Sequence, residues 1–582
     1  MLKFNTFIRW CAAIFLVSTC IILIKSTAAV EPPIMTSVPQ LLSDPFLQLP
    51  TENSVRVVWF TEFAGSRHTV SYGQDFSYNA IATSTKLSRT REDRLSRASI
   101  EYKQPTKRDI WRHEAEVTKL NSNIRLPYRV TSVTEDGKSI SSGEFTLAAK
   151  PKPGTPLKIL LTSDHQLKPM TAANLQKVVE TVGKVDGVFF AGDLVNIADR
   201  ASEWFDDIRK GAFFPCLQGR AKYKLEKNGI KTTYTGGEII QHAPLYTAIG
   251  NHEVMGRFER TGSLDDEFGD AYPRQVAIAQ LLKQKRDRSI KDYSFNTDTY
   301  EEIFTLPQSD KGGKKYYAVT FGDVRLVVLY ATNIWRTPNL DASAKGKYQE
   351  RAQDIDNLDE WGYGQHIFED IFRGSPQYNW LEEELNSPQF QKAKYKVVML
   401  HHPLHSLGDN IVPTYTNPVQ VIDTDAKNRT SVRYEYPIEQ DYLVRDIVPL
   451  LEAANVQLVF YGHSHLWNRF ISNGMNFLET SNVGNSYGAA MGEKRRDVPS
   501  SDNNYVATGD PNGLEPVVPK FAPILNKNGQ KLPYLASNDI TAFSILDTAT
   551  GSVVSYRFDT LKPNSEVVKF DEFKLKLKAN VS

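Results

Sequence analysis

With 582 residues, 41% of them apolar and 24% charged, the chain can bury a large core and is long enough for more than one domain. Its 69 basic and 68 acidic residues leave a formal net charge of +1, which gives no general attraction to nucleic-acid polymers or to an anionic membrane surface. Of the three cysteines, Cys11 and Cys20 lie near the N-terminus, so the rest of the chain holds the single thiol of Cys216 and no internal disulfide.

Residues 1–29 read as a signal peptide. Lys3 and Arg9 make a positive start, and Trp10 to Ile24 is an apolar run of 15 residues that stops at Lys25. A spanning helix needs about 20 such residues, so the run is short for an anchor. Ser26-Thr27-Ala28-Ala29 supplies small residues for cleavage, and Glu31-Pro32-Pro33 ends any helix. The expectation is a secreted, periplasmic or cell-envelope protein, a retained anchor being the alternative. No second long apolar stretch follows, so no membrane contact is expected beyond this segment.

Residues 41–149 look all-β. Ser54 to Phe60 and His68 to Tyr72 are β-branched and aromatic runs separated by Gly65, and Tyr128-Arg129-Val130 and Gly143 to Leu147 add further short strands. Strands at this spacing suggest a small β-sandwich. Lys150 to Pro156, with three prolines and a glycine, is a stiff linker and a natural boundary. Beyond it, apolar strands alternate with helices. The strands are expected at Lys158 to Leu161, Gly187 to Ala191, Leu245 to Ile249, Val324 to Tyr330, Tyr395 to Leu400 and Val456 to Tyr461. Helices are expected at Ala172 to Val182 and from Pro376, with Ser375 as N-cap. Met255 to Gly313 and Asn333 to Gly374 are charged and poorly periodic, and read as surface insertions that wall the site. Residues 491–582 read as a β-rich extension containing a hairpin, Ala542 to Leu546 with Val553 to Arg557.

Polar residues follow five of these strands: Asp164-His165-Gln166, Gly192-Asp193, Gly250-Asn251-His252-Glu253, His401-His402-Pro403 and Gly462-His463-Ser464-His465. In an open α/β sheet, ligands gather beyond the carboxyl ends of the strands, so all five are expected at one such edge. Taken singly, each motif is as well explained by a helix cap or a turn. Together they assemble carboxylates, an amide and imidazoles without a thiolate, a donor set for iron, zinc or manganese and not for a structural zinc. A carboxylate such as Asp193 can bridge two metals. Metals about 3.5–4 Å apart lower the pKa of a water between them to near neutrality, which provides the nucleophile that phosphoryl transfer needs.

The ordered set Asp164, Gly192-Asp193, Gly250-Asn251-His252-Glu253, His401 and Gly462-His463-Ser464-His465 resembles the calcineurin-like metallophosphoesterase family over roughly residues 157–490. The all-β segment, with Trp59, Tyr72 and Tyr128, resembles the fibronectin-like domain that precedes the catalytic domain in purple acid phosphatases. The resemblance implies a metallophosphoesterase β-sandwich flanked by helices behind an N-terminal all-β sandwich. It implies one metal held by Asp164, Asp193, His465 and Gln166, and a second held by Asp193, Asn251, His401 and His463, with Asp193 bridging. His252 would contact the substrate phosphate and protonate the leaving oxygen.

Two positions depart from the pattern. Gln166 stands where many members have histidine, and a neutral amide is the weaker ligand. Asn196 stands where purple enzymes have tyrosine, so the charge-transfer colour and the preference for ferric iron are not expected. His402 and His405 stay open between a site role and a structural one. The implied function is metal-dependent hydrolysis of small phosphoric esters, as a phosphomonoesterase or phosphodiesterase using a metal-bridging hydroxide. A surface binding module with an impaired site is the alternative from another class, and a nucleotidase remains open.

Overall fold

The computed structural model describes residues 40–122, 124–258, 261–284, 289–335, 348–411, 415–496 and 506–577. The signal peptide expected at residues 1–29 lies outside the described residues.

Among the first strands, Phe46–Gln48, Val55–Thr61, Trp111–Val117 and Thr83–Lys86 form a four-stranded antiparallel sheet. A five-stranded sheet accompanies it, built on Arg67–Tyr72 and Leu126–Val133. Val55, Val57 and Trp59 enter the small core with Val70, Tyr128 and Val130, and the Trp59 indole donates to Ser132 Oγ at 2.9 Å. The alternate residues Val58 and Phe60 belong to the main core of the molecule. Both faces of this strand are therefore buried, which is why its sequence alternates only in part. The Phe60 ring lies 5.3 Å from Phe214 and 5.0 Å from Phe205, and Phe46 lies 5.1 Å from Phe214. The Tyr128 hydroxyl donates to the Gln241 carbonyl at 2.8 Å. This sandwich shares its hydrophobic contacts with the chain that follows, so excising it would expose Phe46 and Phe60.

Beyond the linker the chain builds two larger sheets. In the six-stranded one, Leu245–Thr247, Gly187–Phe190 and Lys158–Thr162 run parallel, followed by Ile540–Asp547, Ser552–Asp559 and Val568–Lys574 in antiparallel order. The seven-stranded one places Val324–Val328, Tyr395–Met399, Leu458–Tyr461 and Met475–Thr480 side by side in parallel. The sheets pack face to face. Tyr317 Oη donates to the Thr247 carbonyl at 2.8 Å, Trp467 Nε1 donates to Ser555 Oγ at 3.0 Å, and Arg469 pairs with buried Asp571 at 2.9 Å.

The expectation of one sheet edge is therefore corrected. Asp164, Asp193 and Asn251 follow strands of the first sheet, whereas His401, His463 and His465 follow strands of the second. The cause lies in the C-terminal hairpin. Ile540–Asp547 pairs antiparallel beside Lys158–Thr162 and occupies the edge that further parallel strands would need. Those strands form their own layer, and the site sits where the two layers end together.

The insertions hold more regular structure than their sequences suggest. Leu264–Phe268, Arg274–Gln284 and Asp298–Ile303 are helices, the first with a reciprocal cap between Ser263 and Asp266. Asn333–Trp335 pairs with Gln365–Ile367. Leu264–Phe268 and Asp298–Ile303, of one or two turns each, are too short for a periodic pattern to show. The helix from Pro376 starts as expected, with Ser375 Oγ accepting from the Tyr378 amide at 3.2 Å.

Candidate metal centre

Each strand end turns sharply to place its side chain over the gap between the sheets. Asp164 (φ 57°), Gln166 (φ 37°), Asp193 (φ 58°), His463 (φ 81°) and His465 (φ 54°) all adopt left-handed backbone. That conformation costs a non-glycine residue on the order of 1–2 kcal/mol, so five instances in one place mark a site held by its surroundings. Two glycines permit the crowding. A Cβ on Gly250 would lie 2.2 Å from Asp193 Oδ1, and one on Gly462 would lie 2.2 Å from Asp164 Oδ2 and 2.1 Å from Ser163 Oγ.

Two buried glutamates brace the turns, one behind each sheet. Glu253 accepts from the amides of Asp193 (2.9 Å), Leu194 (2.8 Å) and Gly250 (2.7 Å). Glu479 accepts from the Ser464 amide (2.8 Å), the Ser406 hydroxyl (2.8 Å) and Asn468 Nδ2 (3.0 Å). Burial pushes both carboxyls up to about 8 against the pull of these hydrogen bonds, with the Asp193 charge adding to the effect on Glu253. In the sequence Glu253 stands out only as part of the Gly250-Asn251-His252-Glu253 motif. Glu479 was missed, although an acid within the wholly buried strand Met475–Thr480 was its signal.

The residues expected from the sequence meet over this scaffold. His401 Nδ1 contacts the Ala191 carbonyl at 2.8 Å, which leaves Nε2 facing Asn251 Oδ1 at 3.2 Å and Asp193 Oδ2 at 3.3 Å. His463 Nδ1 lies 3.1 Å from the same Asn251 oxygen. His465 Nδ1 contacts the Asn485 carbonyl at 2.9 Å, and its Nε2 faces Asp164 Oδ1 at 3.4 Å. A carbonyl partner on one ring nitrogen fixes the tautomer and aims the other nitrogen, the usual arrangement behind an imidazole ligand. Gln166 reaches the same space. Its amide nitrogen donates to Asp193 Oδ2 at 2.6 Å, while its buried oxygen has no hydrogen-bond partner.

The donor atoms of Asp164, Asp193 and His401 lie within 4.8 Å of one another, as do those of His401, His402 and His463. Two buried carboxylates opposite inward-facing imidazoles call for positive charge. Burial opposes protonation of His401, but Asp193 and then Asp164 outweigh it and lift the imidazole to about 10. Burial likewise opposes ionisation of Asp193, and the His401 and His252 charges hold its carboxyl far below the usual range. Burial, with His401 next, pushes His463 down to about 3. Carboxylate, amide and imidazole donors arranged around unpartnered buried atoms fit metal cations.

The two open histidines part ways. His402 stacks on His463 at 3.8 Å, and its buried Nε2 has no hydrogen-bond partner, so it belongs to the cluster. His405 is tied through Nδ1 to Asp510 at 2.9 Å and braces the loop instead. The Asn196 side chain donates to the Gln166 carbonyl at 2.9 Å and does not face the donors.

His252 stands beside this cluster. Its amide donates to Asp193 Oδ1 at 3.0 Å, Nδ1 contacts the Asn196 carbonyl at 2.6 Å, and Nε2 lies 3.9 Å from Asp193 Oδ2. Phe268, from the first insertion, stacks on its ring at 4.9 Å. Burial lowers its pKa, with Asp193 opposing. The ring opens on a cleft of about 600 Å³ lined also by Gln166, Lys168 and Asn196.

The calcineurin-like phosphoesterase family model matches residues 157–466, over half of the chain. The chain belongs to the calcineurin-like phosphoesterase family. A purple acid phosphatase from yellow lupin (Lupinus luteus) seeds shares the fold, with a TM-score of 0.51 at 15% identity over 91% of this chain and 73% of that one. GAP50, the anchor in the inner membrane complex of Plasmodium, aligns at 12% identity over 72% of this chain and 90% of its own, but its TM-score of 0.30 carries no argument. No curated protein matches the sequence. This calcineurin-like phosphoesterase is thus a metal-dependent phosphoric-ester hydrolase with a metallophosphoesterase fold, and the reading as a mere binding module is set aside. No helix among the described residues is long and apolar enough to cross a membrane.

Proposed function

We propose that the protein hydrolyses small phosphate esters at a dinuclear centre, and that its N-terminal segment directs it out of the cytoplasm. The observation that supports the centre best is the convergence of strand ends from two sheets on one cluster of buried, inward-facing donors. Asp164, Asp193, His465 and Gln166 would hold one metal, and Asp193, Asn251, His401 and His463 the other, with His402 at its margin. Gln166 would turn its unpartnered oxygen inward, exchanging the amide contact with Asp193 for a metal bond. When bound, two such cations supply positive charge for the phosphoryl oxygens and lower the pKa of a water that serves as nucleophile.

The chain's own residues then have separate tasks. Glu253 and Glu479 keep the turns rigid, so the donors need little reorganisation. His252 is held in place by Asn196 and Phe268, and its imidazolium form, which Asp193 favours against burial, offers the Nε2 proton to the departing oxygen. The test is metal content by mass spectrometry together with hydrolysis of p-nitrophenyl phosphate and its bis-ester, on wild type and His252→Ala. About two metals per chain are expected in both proteins, with kcat lower in the variant by roughly 10²–10⁴-fold. Protein that stays inactive after loading with manganese, zinc or iron would overturn the proposal.

A further inference from the structure

Four cations line the cleft beside His252, and they differ in how the chain partners them. Arg200 is matched by Asp93, Glu203 and Asp265, and Arg209 by Asp207. Lys168 and Arg97 also line the cleft, and neither forms an ion pair among the described residues. The carboxylates whose charge acts on Lys168 are Asp193, Asp164 and Glu203. The first two belong to the metal centre. Glu203 already accepts from Arg200 and from the amides of Asn196 and Ile197. Lys168 is half-buried beside the centre, whereas Arg97 is exposed and reaches the cleft from the β-sandwich region.

The Arg97 segment is anchored firmly. Its neighbours Arg91 and Asp93 make buried ion pairs to Asp199, Glu267 and Arg200, and the Arg97 carbonyl accepts from the Ile208 amide at 2.8 Å. The cleft therefore has a half-buried cation two residues from Gln166 and an exposed cation on an anchored segment. Its volume of about 600 Å³ suits a small molecule spanning the two.

We infer that the preferred substrate carries a second phosphate, with Lys168 holding the ester to be cleaved and Arg97 holding the other. This rests on the phosphatase reading above and names its substrate class. A guanidinium binds phosphate through paired N–H donors, and an ammonium acts as a point charge, so each residue suits its position.

The test compares fructose 1,6-bisphosphate with fructose 6-phosphate on the metal-loaded full chain. Wild type is expected to favour the bisphosphate by about tenfold in kcat/KM, the discrimination of one charge-assisted contact. Lys168→Met raises KM for both sugars, and Arg97→Ala removes most of the preference, whereas Arg97→Lys restores part of it. Calorimetry of the two sugars on the slowed variant His252→Ala reads the same preference in affinity. Turnover without preference, or a preference that survives Arg97→Ala, overturns this inference alone. A preference in affinity with no turnover of any ester by wild type overturns the phosphatase reading instead.

Discussion

Two groups of histidines in this molecule are almost equally buried and do opposite things. In the β-sandwich, His68 and His113 stack at 3.6 Å, and every ring nitrogen has a partner. His113 contacts Thr61 Oγ1 and Ser84 Oγ at 2.8 Å each, and His68 contacts Ser132 Oγ at 2.9 Å and the Ala64 carbonyl at 2.6 Å. At the metal centre, His401 and His465 each have one nitrogen on a backbone carbonyl and the other turned toward a carboxylate. Burial alone does not make a histidine a ligand. The difference is a second nitrogen turned toward buried carboxylates in shared space, and for His465 also a backbone at φ 54° that non-glycine residues avoid.

The sharpest way to break this contrast is to remove one imidazole from each group. His401→Ala takes a donor from the middle of the cluster and leaves Asp193 without its neighbour. Metal content should fall from about two per chain to one or fewer, and turnover should drop more than about a hundredfold. His113→Ala should leave metal content unchanged. Equal metal loss in the two variants would show that the donor geometry has been misread.

A smaller effect is expected one layer back. Glu479→Gln keeps the size and buries no new charge, but it presents an amide nitrogen to a pocket where Ser464 N–H, Ser406 O–H and Asn468 Nδ2 all donate. The turn carrying His463 and His465 would shift, and metal affinity should weaken by roughly 10–100-fold in a chelator competition. An unchanged affinity would mean that the turn is held by other contacts.

These outcomes bear on what the sequence can disclose. The donors were legible because each follows an apolar strand directly, so chain position alone located them at strand ends. The division into two sheets was not legible in the local pattern, and only the resemblance to a metallophosphoesterase β-sandwich implied it. It depends on Ile540–Asp547, nearly 380 residues after the strand it pairs with, Lys158–Thr162, and nothing local announces that pairing. The left-handed turns were equally hidden, because Asp164 and His463 carry no mark of the φ they are forced into. Glu479 looked like any acid, and Phe268 became part of the site only through an insertion whose short helices leave no period. Lys168 lies two residues from Gln166, yet its lack of an ion-pair partner is a property of the folded cleft.

The other half of the comparison is tested through pH. Burial, with the His68 and Arg112 charges next, pushes His113 down from 6.5 to about 3, and burial lowers His68 as well. The unfolded imidazole takes up a proton near pH 6.5, and the folded one does not until about pH 3. Between these values the unfolded state binds more protons. Stability is therefore complete above about pH 6.5, falls as the pH is lowered, and levels off below about pH 3. His113→Gln can keep a donor toward Thr61 and an acceptor toward Ser84 without titrating. Between pH 7.5 and 4.5, wild type should lose about 2–3 kcal/mol more unfolding free energy than the variant in urea titrations at matched metal content. The metal-centre carboxylates titrate alike in both proteins and cancel in the difference. Parallel pH profiles would mean that the stacked pair tolerates a proton, and the distinction between occupied and inward-facing nitrogens would then lose its thermodynamic basis.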